Sequence, residues 1–365
     1  NTTGGQNTAI GRKAMSNNID GANNTAVGRQ AMVANTTASS NTAVGAQALE
    51  NNTTGAVNTA VGYGALITNT TGSSNTAVGY EALNKNTEAL YNSALGRHAL
   101  CANTTGANNT AVGMQALKSN TTASDNTAIG CGAMEANTGA GNTAIGRDAL
   151  TANTTGANNV AVGLLSMVGN TEGDNNVAIG KQALDANTTA DNNTAVGTSA
   201  LGANTTGAQS VAVGVEALKT QTTGNNNSAF GFCAMALNIT GTANTAIGNF
   251  ALKTTQTGCR NTAVGYQSMF DATSAECNVA VGAYSLANNT TADFNTALGA
   301  CSLICNQTGA KNVAVGYNSL FNNVGDQNTA VGLCALLANT SGADNVSVGR
   351  NALDANTTAN YNTAV

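Results

Sequence analysis

One pentapeptide, Asn-Thr-Ala-Val-Gly, returns every 17 residues from one end of the chain to the other. It stands at Asn7 to Gly11, Asn24 to Gly28, Asn41 to Gly45 and Asn58 to Gly62, and is still present as Asn345-Val346-Ser347-Val348-Gly349. Only the steps Gly130 to Gly146 and Gly316 to Gly332 are one residue shorter. Between pentads the chain reads x-x-Ala-Leu-x-x-Asn-Thr-Thr-Gly-x-x, as in Ala46 to Val57. A unit this short cannot bury a core of its own, so copies must stack and share one. No segment escapes the period, and 1–365 reads as a single continuous array rather than the two globular domains that its length would otherwise suggest.

Each turn is numbered here from the closing glycine of its pentad as position zero. Position −1 is Val or Ile almost throughout and −3 is Thr, Val or Ser, both on one side of a strand, with Ala at −2 on the other. β-branched residues beside a glycine bend predict a short strand. Leu or Met at +4, preceded by Ala or Ser, reads as a second apolar rung. The apolar part of Gly-x-x-Ala-Leu is about five residues long, too short for an independent helix. The period also falls below the roughly 20 to 29 residues of a leucine-rich repeat. The expected fold is therefore all-β: a parallel β-solenoid, or β-roll, of about 17 residues per turn and roughly 21 to 22 turns.

Composition fits a thin core. Apolar residues make up 42% of the chain, but much of this is Ala and Val, with six Phe, seven Tyr and no Trp. A narrow interior of small β-branched and aliphatic residues is what such a chain can fill. Charged residues are only 8%, so solubility must rest on Asn, Thr, Ser and Gly. A net charge of −5 offers no basic stripe for nucleic acid, and no apolar run reaches membrane-spanning length, which argues against membrane insertion. No capping sequence is recognisable at either end, and the chain reads as a piece of a longer fibre, or as a unit that joins end to end.

Several columns invite specific roles. The marker glycines, among them Gly28, Gly45, Gly62 and Gly79, sit where the strand must turn and need positive φ or freedom from a Cβ. The −4 column, Asn24, Asn41, Asn58, Asn75 and their equivalents, can form a ladder of amide hydrogen bonds if identical turns stack. In the second turn Asn35, Asn69, Asn103, Asn120, Asn153, Asn187, Asn204 and Asn356 each begin Asn-Thr-Thr, an acceptor sequence for eukaryotic-type N-glycosylation. Tyr63, Tyr80, Tyr266 and Tyr317 share position +1 and read either as scattered surface aromatics or as part of a binding face. Cys259 and Cys277, 18 residues apart in successive turns, are a candidate disulfide; most of the other six cysteines read as free small apolar substitutions.

Catalytic chemistry has little to work with. His98 is the only histidine, carboxylates are sparse, and no zinc spacing, phosphate loop or calcium-binding nonapeptide occurs. No cofactor or metal is implied, and the expectation is a protein that is not an enzyme.

The pentads Asn176-Val177-Ala178-Ile179-Gly180, Ser210-Val211-Ala212-Val213-Gly214 and Asn278-Val279-Ala280-Val281-Gly282 resemble the head repeats of trimeric autotransporter adhesins. Similar Asn-Thr-Ala-Val-Gly arrays resemble stretches of phage tail-fibre proteins. That resemblance implies a left-handed parallel β-roll, packing of three chains, and a surface that binds host matrix or cells. The family's turn is about three residues shorter, and no coiled-coil stalk is present here. The resulting expectation is a structural rod of an extracellular or virion-surface fibre, self-associating as a homotrimer or end-to-end filament and adhesive at its surface. A glycan- or matrix-binding adhesin head is the alternative. An ice-binding solenoid using the Thr columns at −3, +8 and +9 ranks below it, because the Thr-Thr pairs fall in a turn and not on a flat strand.

Overall fold

The structure is a computed structural model and describes residues 2–365. The chain divides into two compact units, residues 1–181 and 182–365. Each is a stack of turns that contributes one short strand per turn, three residues long in all but the last, eleven strands running from Thr8–Ile10 to Val177–Ile179 in the first unit and eleven from Thr194–Val196 to Thr363–Ala364 in the second. Within each unit the strands pair in parallel with strict register: Thr25 lies on Thr42, Ala26 on Ala43 and Val27 on Val44, and Val211 on Ser228, Ala212 on Ala229 and Val213 on Phe230. The described residues contain no helix, and the fold is the all-β parallel solenoid that the period predicts.

The two shortened turns leave the register intact. Thr127 still pairs with Thr143 and Val313 with Thr329. The missing residue is taken from the second turn, where the Asn137 and Asn323 amides reach the carbonyl two residues on instead of three.

Side-chain direction on the strand is the reverse of a core built from β-branched residues. Ala at −2 is fully buried, as at Ala26, Ala43, Ala60 and Ala77, while Val or Ile at −1 faces out, with Val44 at 37% and Ile145 at 40% exposure. The interior is lined instead by Ala at −2, Ala or Ser at +3 and Leu or Met at +4, together with two columns of Asn. The physical reason is thickness. Walls of a 17-residue turn come so close that a methyl group fills the space behind the strand, and Val would overpack it.

Position +4 is the second apolar rung, and it is not on a strand. It belongs to a tight turn, and Leu49, Leu66 and Leu83 there have φ near +50° while being completely buried. Non-glycine residues also take positive φ at +2 and just before the −4 Asn, as at Gln47 and Val57. Each left-handed residue costs roughly 1–2 kcal/mol. Burying a leucine side chain returns about 1.5–3 kcal/mol, and the turn backbone is also bonded between layers, with Leu49 N–H donating to Ala65 at 3.0 Å and Gln47 N–H to Arg29 at 2.9 Å.

Candidate functional surface

The marker glycines close each strand. Gly45 has φ of 136°, and a Cβ built there would lie 2.5 Å from the carbonyl oxygen and 2.7 Å from the carbonyl carbon of Gly62 in the next turn. Gly28, Gly62 and Gly79 repeat this arrangement.

Both Asn columns are internal, and they do different jobs. In the −4 column the side-chain oxygen accepts a backbone N–H: Asn41 N–H donates to Asn24 Oδ1 at 2.9 Å, Asn58 to Asn41 at 2.8 Å and Asn75 to Asn58 at 2.9 Å. The amide nitrogen of Asn41 donates to the Gly55 carbonyl at 2.9 Å. This column is thus mainly a side-chain-to-backbone ladder.

The amide-to-amide ladder is made by the other column, the one carrying the sequons. Asn35 Nδ2 donates to Asn18 Oδ1 at 2.7 Å, Asn69 to Asn52 at 2.8 Å, Asn86 to Asn69 at 2.8 Å and Asn120 to Asn103 at 3.0 Å. Asn35, Asn69, Asn103, Asn120, Asn153, Asn187 and Asn204 have no solvent exposure, and Asn356 donates from the same column to Asn339 at 2.9 Å. The reading of these residues as surface glycan acceptors is corrected: in this fold their amides point inward, and a sugar on Nδ2 would take away one of the N–H groups that bond there.

The candidate disulfide is corrected too. Cys259 and Cys277 are free thiols. Their backbones meet, Cys277 N–H donating to the Cys259 carbonyl at 3.1 Å, but they stand one column apart, and the Cys259 sulfur is engaged by Thr242, 3.4 Å from its hydroxyl.

The outer surface offers three features. One is a short row of rings at +1 and +2. Tyr63 stacks on Tyr80 with centroids 5.4 Å apart, and Tyr80 meets His98 at 5.5 Å. His98 in turn lies 3.4 Å from the Glu81 carboxylate, whose negative charge holds the Tyr80 phenol above its usual range. In the second unit Phe232, Phe250, Tyr266 and Tyr284 form a longer row of edge-to-face contacts at 5.3 to 6.2 Å, with Lys253 5.2 Å from the Phe250 ring. Tyr317 is exposed at +1 and joins neither row. The sequence signal for the rows is the exchange of rings between +1 and +2 in successive turns, which position +1 alone does not reveal.

A second feature is a cleft of about 330 Å³ where Gly202 leaves out a side chain between Asp185 and Lys219. Burial pushes the Asp185 carboxyl up, and Lys219 is turned to Glu216 at 2.8 Å. The two charged groups are therefore not poised against one another as an acid–base pair. No group of three or more metal-ligating side chains occurs among the described residues, and no helix there is long and apolar enough to cross a membrane.

The third feature is the outward sheet face, with its −3 and −1 columns. It carries no charged residue. In the first unit its −3 column is Thr8, Thr25, Thr42, Thr59, Thr76, Ser93, Thr110, Thr127 and Thr143 before Val160 and Val177. Thr also lines the second turn at +8, but there Thr36, Thr53, Thr70 and Thr104 donate their hydroxyls to the carbonyl one turn on, at 3.0 to 3.2 Å. Compared with family models and with curated proteins, the chain matches none of them.

Proposed function

We propose that this chain is a non-catalytic structural segment of an extracellular or virion-surface fibre that assembles by self-association. The observation carrying this reading is the repetition of one bonding set between successive turns of each unit. Parallel strands, the two Asn ladders and the Thr hydroxyls at +8 all bond along the stacking direction. Such a stack resists extension, because lengthening it breaks several hydrogen bonds per turn at once.

Single-molecule pulling tests the mechanical claim. Each released turn should lengthen the chain by about 55 Å, from 17 extended residues less one inter-strand step. A featureless extension at low force would overturn it. Sedimentation would read the self-association, and antibody labelling of intact cells or particles the location. The ring rows give the adhesive reading its specific support, since exposed aromatic faces suit sugar rings. Glycan-array binding that falls with Tyr80→Ala would support that part, and an array without signal would sink it.

A further inference from the structure

The outward sheet face of the first unit is a lattice of fixed groups. Strands lie about 4.8 Å apart, and outward residues on one strand about 6.6 Å apart. The register is exact in type as well as position, Thr on Thr and Val on Val from Thr25–Val27 through Thr42–Val44 and Thr59–Val61 to Thr76–Val78. Thr, Val and Ile are stiff at χ1, so hydroxyl and methyl groups hold their places. The hydroxyls of Thr25, Thr42, Thr59, Thr76 and Thr110 make no hydrogen bond to another group of the chain, in contrast to those at +8. They are committed to water.

We propose that this face binds ice. An ice surface is rigid, uncharged and periodic, and it presents O–H groups that a free hydroxyl can join. Each contact is weak, but contacts held in a fixed array add without a separate ordering cost for each. Charge would bind its own hydration shell, and the face has none. A second copy of the chain fits less well. A dry contact would strip water from a column of hydroxyls, at about 1–3 kcal/mol for each one left unpaired. The proposal is independent of the fibre reading and uses a face that the fibre reading leaves open. It rests on the −3 column, whose Thr residues stand on strands, and not on the Thr-Thr pairs, which do fall in the second turn.

The test is thermal hysteresis and partition into growing ice, measured on the intact chain. The unaltered chain should shape ice crystals and hold a freezing gap. The double variant Thr59→Lys, Thr76→Lys should lose most of that gap, several-fold at equal concentration, with an unchanged circular dichroism spectrum. Thr245→Lys, Thr262→Lys, on the second unit's face where Val interrupts the column, should leave it nearly intact. Absence of hysteresis and of ice partition in the unaltered chain overturns the proposal. Equal loss in both double variants overturns the assignment to the first unit. An oligomer in sedimentation that Thr59→Lys, Thr76→Lys dissociates would overturn it in favour of a second copy as the occupant.

Discussion

The two units share one turn design but differ in how faithfully they repeat it. In the first, the internal amide ladder runs from Asn18 through Asn35, Asn52, Asn69, Asn86 and Asn103 to Asn120, misses one step at the shortened turn, and resumes from Asn137 through Asn153 to Asn170. In the second the same column holds Gln221, which carries the ladder on to Asn238, and then Thr255 and Ala272, which interrupt it until it resumes from Asn323 through Asn339 to Asn356. The Thr255 hydroxyl and the side-chain oxygens of Asn238, Asn289 and Asn306 are left buried without partners, against the Asn120 oxygen and the Asn126 amide nitrogen in the first unit. Core Ala at +3 gives way to Ser once in the first unit, at Ser166, and four times in the second, at Ser268, Ser285, Ser302 and Ser319, where each hydroxyl donates to the marker glycine three residues back at 2.8 to 3.2 Å. Backbone geometry survives all of this. The strands and glycine corners set the fold, while the side-chain columns tune how strongly one layer holds the next.

The comparison breaks most directly at the corner. Gly45→Ala in the first unit and Gly265→Ala in the second should both cost about 3–5 kcal/mol in urea unfolding, because each Cβ would meet a neighbouring carbonyl, at 2.5 and 2.6 Å respectively. A cost under about 1 kcal/mol at either site would mean that the layers can slide apart to admit a side chain. Next in size is the ladder itself. Asn69 makes three buried amide contacts, to Asn52, Gly72 and Asn86, each at 2.8 Å, whereas the Asn289 side chain keeps one, to Ala292 at 3.0 Å. Asn69→Ala should therefore destabilise by about 3 kcal/mol and Asn289→Ala by about 1 kcal/mol. Equal losses would remove the distinction between the units.

A gain is expected from repair. Thr255→Asn with Ala272→Asn would restore amides to the gap between Asn238 and Asn289 and should stabilise the second unit by about 1 kcal/mol per new bond. Thiol chemistry reads burial on a finer scale. Desolvation raises the thiols of Cys101 and Cys305, so at pH 8 iodoacetamide should label both more slowly than the exposed Cys131. The difference should vanish in urea, where unreduced chain should also titrate as eight free thiols. The smallest effect is at Asp185, whose carboxyl is raised by burial. A carboxyl raised in the folded state binds its proton more readily there than when unfolded. Its contribution is full below the unfolded value and is lost as pH rises through the folded one. Asp185→Asn should flatten stability in that acidic window, and an unchanged pH profile would show that solvent screens the group.

Much of the architecture was legible because it is periodic. Gly28, Gly45, Gly62 and Gly79 recur at a fixed interval, and only a stack brings such residues together, so the solenoid and the corner role followed from spacing. The roles of the two Asn columns did not. Asn24 and Asn35 are the same residue type beside turns, and nothing in the local sequence distinguishes an amide that bonds backbone from one that bonds another amide. The Asn-Thr-Thr pattern of Asn35 matches an enzyme's acceptor sequence, yet also suits a turn whose amide points inward. Cys259 and Cys277 were close in separation but one column out of line, and in a solenoid one column changes the direction of the side chain.

By itself the sequence determined the period, the parallel register and the position of every corner, because these depend only on identical units meeting their own counterparts. Which side of the strand faces inward was decided by the tertiary structure. Alternation in Thr-Ala-Val divides the residues into two sets but does not say which set is enclosed, and the usual preference for burying Val points the wrong way. The closeness of the walls settles it. Only the Ala methyl fits the space behind the strand, so Val and Thr are turned out and form the regular face the molecule presents to water.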